Sequence, residues 1–342
     1  MSLEATIVFD GGILGAGPPT GVARAFLDAL AAYAATSTTP PLRLLPPQAE
    51  GQGLAHVREL RSACVAGPLA RQLRLPALLR ALGAELFHAP IAAIPWRAPC
   101  RTIATVHDLP WRARDLSGEP GCGWRARFAV RRAVARADLV IVPSRATERD
   151  LRTECPTPRA RIAVVAHGVP AAPDQTPSAH DGPFLALGDD RPRKNLARLA
   201  AAHARARHLR PSLPALEFVG PRRREANAGW VSEAEKHARL GRARALVHVS
   251  LHEGFGLPLL EAMARGTPVL CSDRASLPEL AGDAALVVDP TDVEAIAAAL
   301  VRIDADEALR ARLVAAGHAR AAAFPPAATA AAWRRLHEDL LR

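Results

Sequence analysis

Short apolar runs alternate with helix-like runs along the whole sequence, and this alternation restricts the possible folds more than any other feature. It extends from "ATIVFD" at 5–10 to "VVAHGV" at 164–169 and begins again with "FLALG" at 184–188. Residues 170–183 between the two parts are rich in Pro, Asp and Ser, a composition typical of a linker. Alternating strands and helices favour parallel sheets covered by helices. The pattern therefore predicts an α/β protein with two doubly wound domains that face each other across a cleft.

The chain length fits this division, because 342 residues are long for one core and suit two domains of ordinary size. We expect an N-terminal domain over 1–172, a linker over 173–183 and a C-terminal domain over 184–325. We expect the last helix, over 326–342, to pack back on the N-terminal domain.

Residues 54–82 have a composition that favours helices, with many Leu, Ala and Arg residues. Gly67-Pro68 and Pro76 would interrupt a continuous helix. We therefore predict a helical region over the whole of 54–82, broken near these two points.

One stretch in the second half, "ALVHVSLHEGFGLPLLEAMARGTPVLCSD" at 245–273, combines strand, turn and helix signals in close succession. An apolar strand leads into a glycine-bearing loop, and Pro258 suits the first position of the helix that follows. Gly266 and Pro268 end that helix before the next strand. The stretch predicts a strand–loop–helix–strand unit whose loop lies at a helix N-terminus.

Two glutamates, Glu253 and Glu261, flank the start of this helix, and we expect Glu261 to lie in its first turn. A helix N-terminus exposes unpaired N–H groups and partial positive charge, which suit a phosphate. A carboxylate repels phosphate but accepts two hydrogen bonds from a vicinal diol. A nucleotide-sugar, with a diphosphate between two polyols, would use all of these groups.

Several classes of protein are disfavoured by composition and by the motifs that are missing from the sequence. No apolar run approaches the ~20 residues of a membrane span. Five cysteines without a C-x-x-C motif argue against a disulfide framework or a zinc site. No signal-peptide pattern is visible at the start, so we expect a cytoplasmic protein. The glycine-rich stretch at 11–25 does not fit G-x-G-x-x-G, and neither a phosphate-binding P-loop nor G-x-S-x-G is present.

The positive charge lies mainly in the first half: the net charge is +10, and residues 1–172 hold 21 Arg against 13 Asp and Glu. Nucleic acid, an anionic membrane surface or an anionic substrate could each explain it, and nucleic acid comes last because no nucleic-acid motif is present. The helix predicted over 123–138 places Trp124 and Phe128 on one face among arginines. Two interpretations stay open: this helix docks on a membrane surface at the inner face, or it covers the sheet beside "LVIVPS".

The segment "SLHEGFGLPLLEAMARGTPVLCSDRASLPELAGDAALVVDP" at 250–290 closely resembles the retaining glycosyltransferases of family 4, which have the GT-B fold. The E-x7-E pattern of that family falls on Glu253 and Glu261. "TVHDLPW" at 105–111 and "GDDRPRKN" at 188–195 are similar to further family segments and occur in the same order. The resemblance covers nearly the whole chain, and the E-x7-E segment is its most specific part.

The resemblance implies a role for each matching residue. Arg193 and Lys194 would neutralise the diphosphate and stabilise the leaving nucleoside diphosphate, although a solvated pair is the alternative. Glu253 would bind hydroxyls of the transferred sugar, and His107 would reach that sugar from the other domain, unless it is only a strand-end histidine. The remaining donor-binding positions are Gly21, Gly254, Phe255, Gly256, Leu257 and Glu261, the last of these on the ribose.

The implied reaction moves a hexose from a nucleoside diphosphate sugar to a hydroxyl, in the synthesis of cell-surface polysaccharide and without a metal or other cofactor. "TVHDLPW" most resembles mannosyl-transferring members, which favours GDP-mannose, while UDP-glucose and UDP-N-acetylglucosamine stay open. A lipid-linked acceptor also stays open. Asp189 and Asp190 are interpreted as a solvated turn and not as metal ligands. The alternative functions are a GT-B sugar-nucleotide epimerase or phosphorylase and a non-catalytic scaffold.

Two positions depart from the family pattern. Only nine residues, 221–229, stand where the family usually has a further helix and strand, which predicts the deletion of one strand–helix unit. His167 occupies the place of the asparagine in the family's N-G-V motif.

Overall fold

The chain divides into two compact units. The computed structural model describes residues 5–14, 20–49, 53–113, 116, 123–172, 180–220 and 231–342. Unit 1 comprises Met1–Leu109, Gly123–Gly168 and Pro326–Arg342, and unit 2 comprises Pro110–Cys122 and Val169–Pro325. Residues 110–122, which the predicted boundaries assign to the N-terminal domain, are thus grouped with unit 2.

Unit 1 is built on a sheet of seven strands in the order β3-β2-β1-β4-β5-β6-β7, with every neighbouring pair parallel. The order 3-2-1-4-5-6 is that of doubly wound nucleotide-binding folds. The central strands are continuous apolar runs because helices cover both faces of a parallel sheet. The strands are β1 Ile7–Asp10, β2 Leu42–Leu45, β3 Arg58–Arg61, β4 Leu86–Ala89, β5 Arg101–Thr105, β6 Leu139–Val142 and β7 Arg161–Val164.

Six α-helices accompany this sheet in the described part of unit 1, and the last of them comes from residues 326–341. The indole of Trp333 lies 5.8 Å from the ring of Phe9 and 5.7 Å from that of Phe26, measured between ring centroids, so this last helix closes the core over the first strand and helix. The helices are α1 Gly21–Ala34, α2 Pro68–Leu73, α3 Leu75–Ala81, α4 Trp124–Arg136, α5 Arg145–Glu154 and α12 Pro326–Leu341.

The helical region predicted over 54–82 is wrong in its first half. Residues 58–61 form β3, which pairs in parallel with β2 at the edge of the sheet. The guanidinium of Arg43 on β2 is buried and forms an ion pair with Glu59, which fixes this strand pairing. Backbone pairing and one buried charge thus outweigh the helix propensity of the segment. The two predicted breaks are confirmed, because α2 begins at Pro68 and α3 carries Pro76 in its first turn.

Unit 2 is built on a five-stranded parallel sheet in the order β12-β11-β10-β8-β9. Counted from β8, this is the 2-1-3-4-5 order of the other common doubly wound sheet. The shortened segment 221–229 lies outside the described residues. The strands are β8 Phe184–Leu187, β9 Leu216–Val219, β10 Ala245–His248, β11 Val269–Ser272 and β12 Leu286–Val288. The helices are α6 Leu196–Leu209, α7 Glu233–Arg242, α8 Leu257–Ala264, α9 Leu277–Ala281, α10 Val293–Ala305 and α11 Glu307–Ala322.

The predicted fold class is confirmed, because each unit is a parallel sheet covered by helices. Ligands of such folds bind beyond the carboxyl ends of the strands, where the strand order reverses. In unit 2 that reversal falls between β8 and β10. Among the described helices, none combines the length and apolar character that a membrane crossing requires.

Candidate functional site

Two segments of unit 2 meet beyond the carboxyl ends of β8 and β10. The backbone N–H of Leu251 donates to the carbonyl of Arg193 at 2.8 Å, which joins the loop after β10 to the turn after β8. The side-chain amide of Asn195, whose φ is 59°, donates to the carbonyls of Val249 at 3.1 Å and Pro290 at 2.8 Å. These bonds fix the basic pair at 193–194 beside the loop that carries Glu253.

Lys194 and Glu253 form an ion pair at the centre of this arrangement, with 2.7 Å between Nζ and Oε1 and with both side chains nearly buried. The lysine side chain passes over Gly188, the residue after β8. A Cβ at that glycine would lie 3.0 Å from Cε of Lys194, and its φ of 135° is one that L side chains rarely adopt. A glycine at this position therefore gives the lysine its path to the carboxylate.

Glu253 is held in its charged form by three basic neighbours. Burial alone would raise its pKa, but Lys194, then His248 and Arg193, bring that pKa well below its usual range. Nε2 of His248 lies 3.1 Å from Oε1 of Glu253 and 3.3 Å from Oγ of Ser250. Burial lowers the pKa of His248, so the imidazole is neutral and donates its Nε2–H to the carboxylate.

The loop 254–257 enters α8 through a glycine. Gly256 has a φ of 107°, and a Cβ at this position would lie 2.6 Å from a methyl group of Leu277. The hydroxyl of Ser276 donates to the carbonyls of Glu253 at 2.8 Å and Phe255 at 2.9 Å, and this fixes the loop from the side of α9. Phe255 and Leu257 are buried. Because Gly256 has no side chain to cap the helix, the first turn of α8 suits an anion.

Glu261 is the fifth residue of α8 and lies just past the first turn, in which the sequence places it. Its carboxylate accepts a hydrogen bond from Nζ of Lys236 on α7 at 3.0 Å. Lys236 also forms an ion pair with Glu233 at 2.9 Å. The two carboxylates of the E-x7-E pattern are thus each paired with one of the two lysines of the chain.

In unit 1, His107 follows β5 and stacks on His167, with 5.3 Å between ring centroids and 29° between ring planes. Nε2 of His107 donates to the carbonyl of Pro90 at 2.6 Å, which leaves Nδ1 buried and without a hydrogen-bond partner among the described residues. Burial lowers the pKa of both rings, to about 3 for His167, so both are neutral. Gly21 opens α1, and residues 15–19 before it lie outside the described residues.

Asp189, one of the two aspartates considered as metal ligands, forms an ion pair with Arg191 at 2.7 Å. Within the described ranges, no group of three or more His, Cys, Asp or Glu side chains has the arrangement of a metal site.

Two family profiles match separate parts of the chain: the one described as Glycosyltransferase Family 4 matches residues 38–172, and the one described as Glycosyl transferases group 1 matches residues 226–320. The O-antigen chain mannosyltransferase B of Escherichia coli is 46% identical over 96 residues, which are 28% of this chain and 25% of that protein. The MMP alpha-(1->4)-mannosyltransferase of Mycolicibacterium hassiacum is 29% identical over an alignment of 229 residues that covers 59% of this chain and 56% of that protein. The chain belongs to glycosyltransferase family 4.

This family 4 chain spans a quarter of the length of the first relative and just over half of the second. Among solved structures, the sucrose-phosphate synthase of Thermosynechococcus elongatus is similar with a TM-score of 0.78 at 20% identity. That match covers 98% of this chain and 99% of the synthase. At this level of identity the likeness shows the GT-B fold alone.

The sequence did not predict three side chains that contact side chains of the predicted site residues: His248, Lys236 and His167. His248 ends a fully buried strand, where period-two alternation gives no sign of which side chains face the site. Lys236 could have been found, because it is one of only two lysines and lies on the helix before the E-x7-E strand. His167 was visible as a departure from the family motif, but its contact with His107 depends on two strands that are distant in sequence.

Proposed function

We propose that the protein is a retaining glycosyltransferase that moves a hexose from a nucleoside diphosphate sugar to a hydroxyl group. The observation that carries the proposal is the cluster of Lys194, Glu253 and His248 beside Arg193, beyond the carboxyl ends of the unit 2 strands. It combines cationic groups for a diphosphate with a charged carboxylate for sugar hydroxyls. Neither kind of group alone would suit both parts of the donor.

Each group of the cluster has a part in the proposed reaction. Arg193 and Lys194 bind the diphosphate, and their charge stabilises the leaving nucleoside diphosphate as the bond from the anomeric carbon to the phosphate oxygen breaks. Glu253 accepts hydrogen bonds from hydroxyls of the transferred sugar. The acceptor oxygen bonds to the anomeric carbon, and its proton passes to the departing phosphate. Glu261 accepts hydrogen bonds from the ribose diol, and the loop 254–257 supplies backbone N–H groups.

Residues of unit 1 also take part in the proposed reaction. His107 offers the Nδ1 of a neutral imidazole, which has no hydrogen-bond partner among the residues that the structure describes and can accept a hydrogen bond from a hydroxyl of the transferred sugar. The resemblance to family 4 also assigns Gly21, the first residue of α1, to the donor phosphate. Burial keeps His107 neutral by lowering the pKa of its ring, and the stacked His167 is neutral for the same reason.

GDP-mannose is the donor that we favour. The mannosyltransferases of Escherichia coli and Mycolicibacterium hassiacum named above support a mannosyl group, and so does the segment "TVHDLPW". UDP-sugars are the alternative donors. The proposed setting is the synthesis of cell-surface polysaccharide from the cytoplasmic side, with a hydroxyl acceptor that a lipid diphosphate can carry.

A transfer assay tests the proposal. The protein is incubated with labelled GDP-mannose, UDP-glucose or UDP-N-acetylglucosamine and a panel of sugar acceptors, and the anomeric configuration of the product is read by NMR. We expect transfer with retention from one donor and the same rate in EDTA. An inverted product, or activity that EDTA removes and a divalent ion restores, contradicts the proposal. Conversion of the donor without transfer indicates the epimerase alternative.

A further inference from the structure

Large apolar side chains are exposed together on one side of unit 1. Eight large hydrophobic side chains are exposed in the described part of the chain, and five of them come from α2, the loop before β5 and α4. Trp124 is 72% exposed, Trp96 60% and Phe128 55%. Leu69 and Leu73, one turn apart on α2, complete the set. A contiguous exposed apolar patch of this kind marks an interaction surface.

Contacts between the three segments join these side chains into one surface. The backbone N–H of Trp96 donates to Oε1 of Gln72 on α2 at 2.6 Å. On its other side, the guanidinium of Arg132 from α4 lies 5.7 Å from the centroid of the Trp96 ring. Along α4, Trp124, Phe128, Arg132 and Arg136 follow each other at intervals of four residues and therefore share one face of the helix. We call this surface, formed by residues 68–82, 90–101 and 123–137, the aromatic–arginine face.

The charge of this face has one sign. Its three segments contain ten arginines and not one Asp or Glu. Within the described part of the chain, carboxylates of other segments pair with arginines of this face: Asp10 with Arg71, Asp138 with Arg101 and Glu154 with Arg131. The guanidinium of Arg125 lies 5.5 Å from the ring of Trp124, so positive charge and aromatic surface are adjacent at both exposed tryptophans.

An open groove of about 1110 Å³ continues this surface beyond the end of α4. Trp96 lines it together with Arg97, Arg136, Arg159 and Arg342. Glu85, Asp138 and Asp339 line it as well, and Asp138 is already engaged by Arg101 and by the backbone of Thr102. The groove is therefore polar and more basic than acidic, with room for an anionic headgroup.

We propose that the aromatic–arginine face docks on the surface of an anionic lipid bilayer. Tryptophan and phenylalanine side chains partition into the interface between headgroups and acyl chains, and adjacent arginines are attracted to lipid phosphates. Charge complementarity selects this occupant: apart from the buried Arg71, the nine arginines of these segments are exposed or half-buried, and the segments carry no acidic residue, so the face fits an anionic surface. Trp124 and Phe128 lie on a helix, as aromatic rings do in interfacial anchors. The proposal goes beyond the proposed function, because donor binding by unit 2 does not require it.

Sedimentation with vesicles tests the proposal. The full chain is mixed with vesicles of phosphatidylcholine alone or with ~30% phosphatidylglycerol, at ~0.05 M and at ~0.5 M salt. We expect the protein to pellet with the anionic vesicles at low salt, to pellet several-fold less at high salt, and to stay in solution with phosphatidylcholine. Brominated lipids should quench the tryptophan fluorescence, and much of that quenching should be lost in Trp124→Phe.

Two double variants, each with a control, test whether vesicle binding depends on this face or only on the net charge and the exposed apolar area of the protein. Trp124→Ser/Phe128→Ser and Arg125→Glu/Arg136→Glu should each lower vesicle partitioning by at least about tenfold. Their controls lie on unit 2. Leu209→Ser removes a similarly exposed apolar side chain, and Arg207→Glu/Arg302→Glu makes the same charge change at exposed helix positions. Both controls should partition as the wild type does. Circular dichroism and nucleotide titration of each variant show that the fold and the donor site are intact.

Three results would overturn the proposal: no pelleting with anionic vesicles at low salt, equal pelleting of the face variants and their controls, and equal binding to neutral vesicles. Displacement of the protein from vesicles by stoichiometric RNA would also overturn it and assign the face to nucleic acid. Nucleotide binding is measured separately on the same samples, so failure of the docking proposal and failure of the proposed function are distinguished.

Discussion

At the scale of single residues, the candidate site is a set of charges that neutralise each other in pairs. Lys194 is paired with Glu253, and Lys236 is paired with Glu261. A donor with a diphosphate and hydroxyl groups can bind to both members of each pair without leaving either charge buried and alone. Before the donor binds, the pairs leave no buried charge alone. When it binds, both members of each pair can contact it.

Lys194→Ala should reduce turnover more than donor binding, because the charge on the departing diphosphate grows in the transition state. Glu253 keeps the hydrogen bond from His248 in this variant, so the fold should persist. Steady-state kinetics should show kcat lowered by at least about tenfold with a smaller change in KM. Arg205→Ala, an exposed arginine paired with Glu294, is the control and should match the wild type. Wild-type kcat with only KM raised would show that the assigned role is wrong.

Glu261→Ala should weaken nucleotide binding, since each hydrogen bond to a charged group contributes roughly 1.5–3 kcal/mol. Lys236 keeps its ion pair with Glu233, so no lysine charge is left unpaired by the change. Calorimetry should show the affinity for the preferred nucleoside diphosphate lowered by about tenfold or more. Unchanged affinity would remove Glu261 from the ribose site.

The charged residues of the candidate site follow from the sequence more directly than the side chains that pair with them. Glu253, Glu261, Arg193 and Lys194 belong to a motif whose spacing is local, so their assignment needs little knowledge of the fold. His248 and Lys236 reach those carboxylates only because α7, β10 and α8 pack together. A pairing that depends on tertiary packing leaves no periodic signal in the sequence.

At the scale of elements, the start of α8 depends on one glycine. Gly256 has a φ of 107°, a conformation that costs other residues about 1–3 kcal/mol, and its missing Cβ leaves room for Leu277. Gly256→Ala should therefore lower the unfolding temperature and weaken donor binding together. Gly241→Ala on α7 is the matched control, because its Cβ would meet nothing within 4 Å. Thermal unfolding should show the control unchanged or slightly stabilised; equal effects of the two variants would contradict the packing described here.

The core between α1, β4 and α12 contains a chain of hydrogen bonds that requires neutral histidines. The Tyr33 hydroxyl lies 3.1 Å from Nδ1 of His337, and Nε2 of His337 lies 3.1 Å from Nδ1 of His88. Burial lowers the pKa of His88 to about 3 and that of His337 well below its usual range, with His88 and Arg334 adding to the second effect. Burial raises the pKa of Tyr33 to about 12, against the charge of Arg334, while Glu338 raises it further.

This chain makes stability depend on pH with a definite sign. A histidine whose folded pKa is depressed stabilises the fold above its unfolded pKa of about 6.5, and that stability is lost as the pH falls toward the folded value. For His88, with a folded pKa of about 3, the loss between pH 6.5 and 5 is about 2 kcal/mol, and His337 adds a loss of the same sign. His337→Gln keeps a donor and an acceptor but does not titrate, so its urea stability should fall less than that of the wild type between pH 7.5 and 5. The exposed His208→Gln is the control, and an equal fall in all three proteins would contradict the account.

The sequence predicted the apolar central strands correctly, but it did not predict the edge strand β3. The central strands are fully buried runs, which periodicity identifies directly. Residues 58–61 carry two arginines and a glutamate, so neither hydrophobicity nor propensity indicates a strand. β3 exists because β2 offers it a partner and because Arg43 is buried against Glu59, and both causes lie outside the segment itself.

At the scale of the whole molecule, each unit contributes a different kind of group. Unit 2 holds the paired charges of the candidate donor site, and unit 1 holds a neutral stacked histidine pair together with the aromatic–arginine face. The alternation of strands and helices predicted both sheets, because that pattern extends over each half of the chain. The strand order could not be predicted from the pattern alone, since the same run of elements is compatible with more than one order of parallel strands.

The central claim is that the charged cluster of unit 2 binds a nucleoside diphosphate sugar. Calorimetric titration of the wild type with GDP, UDP, ADP and the corresponding sugar nucleotides tests it most directly. We expect one base to be preferred, GDP by the present account, with a Kd in the range of about 1 μM–1 mM and with binding abolished or much reduced in Glu261→Ala. Absence of binding to every nucleotide at about 1 mM would contradict the claim and favour a non-catalytic scaffold.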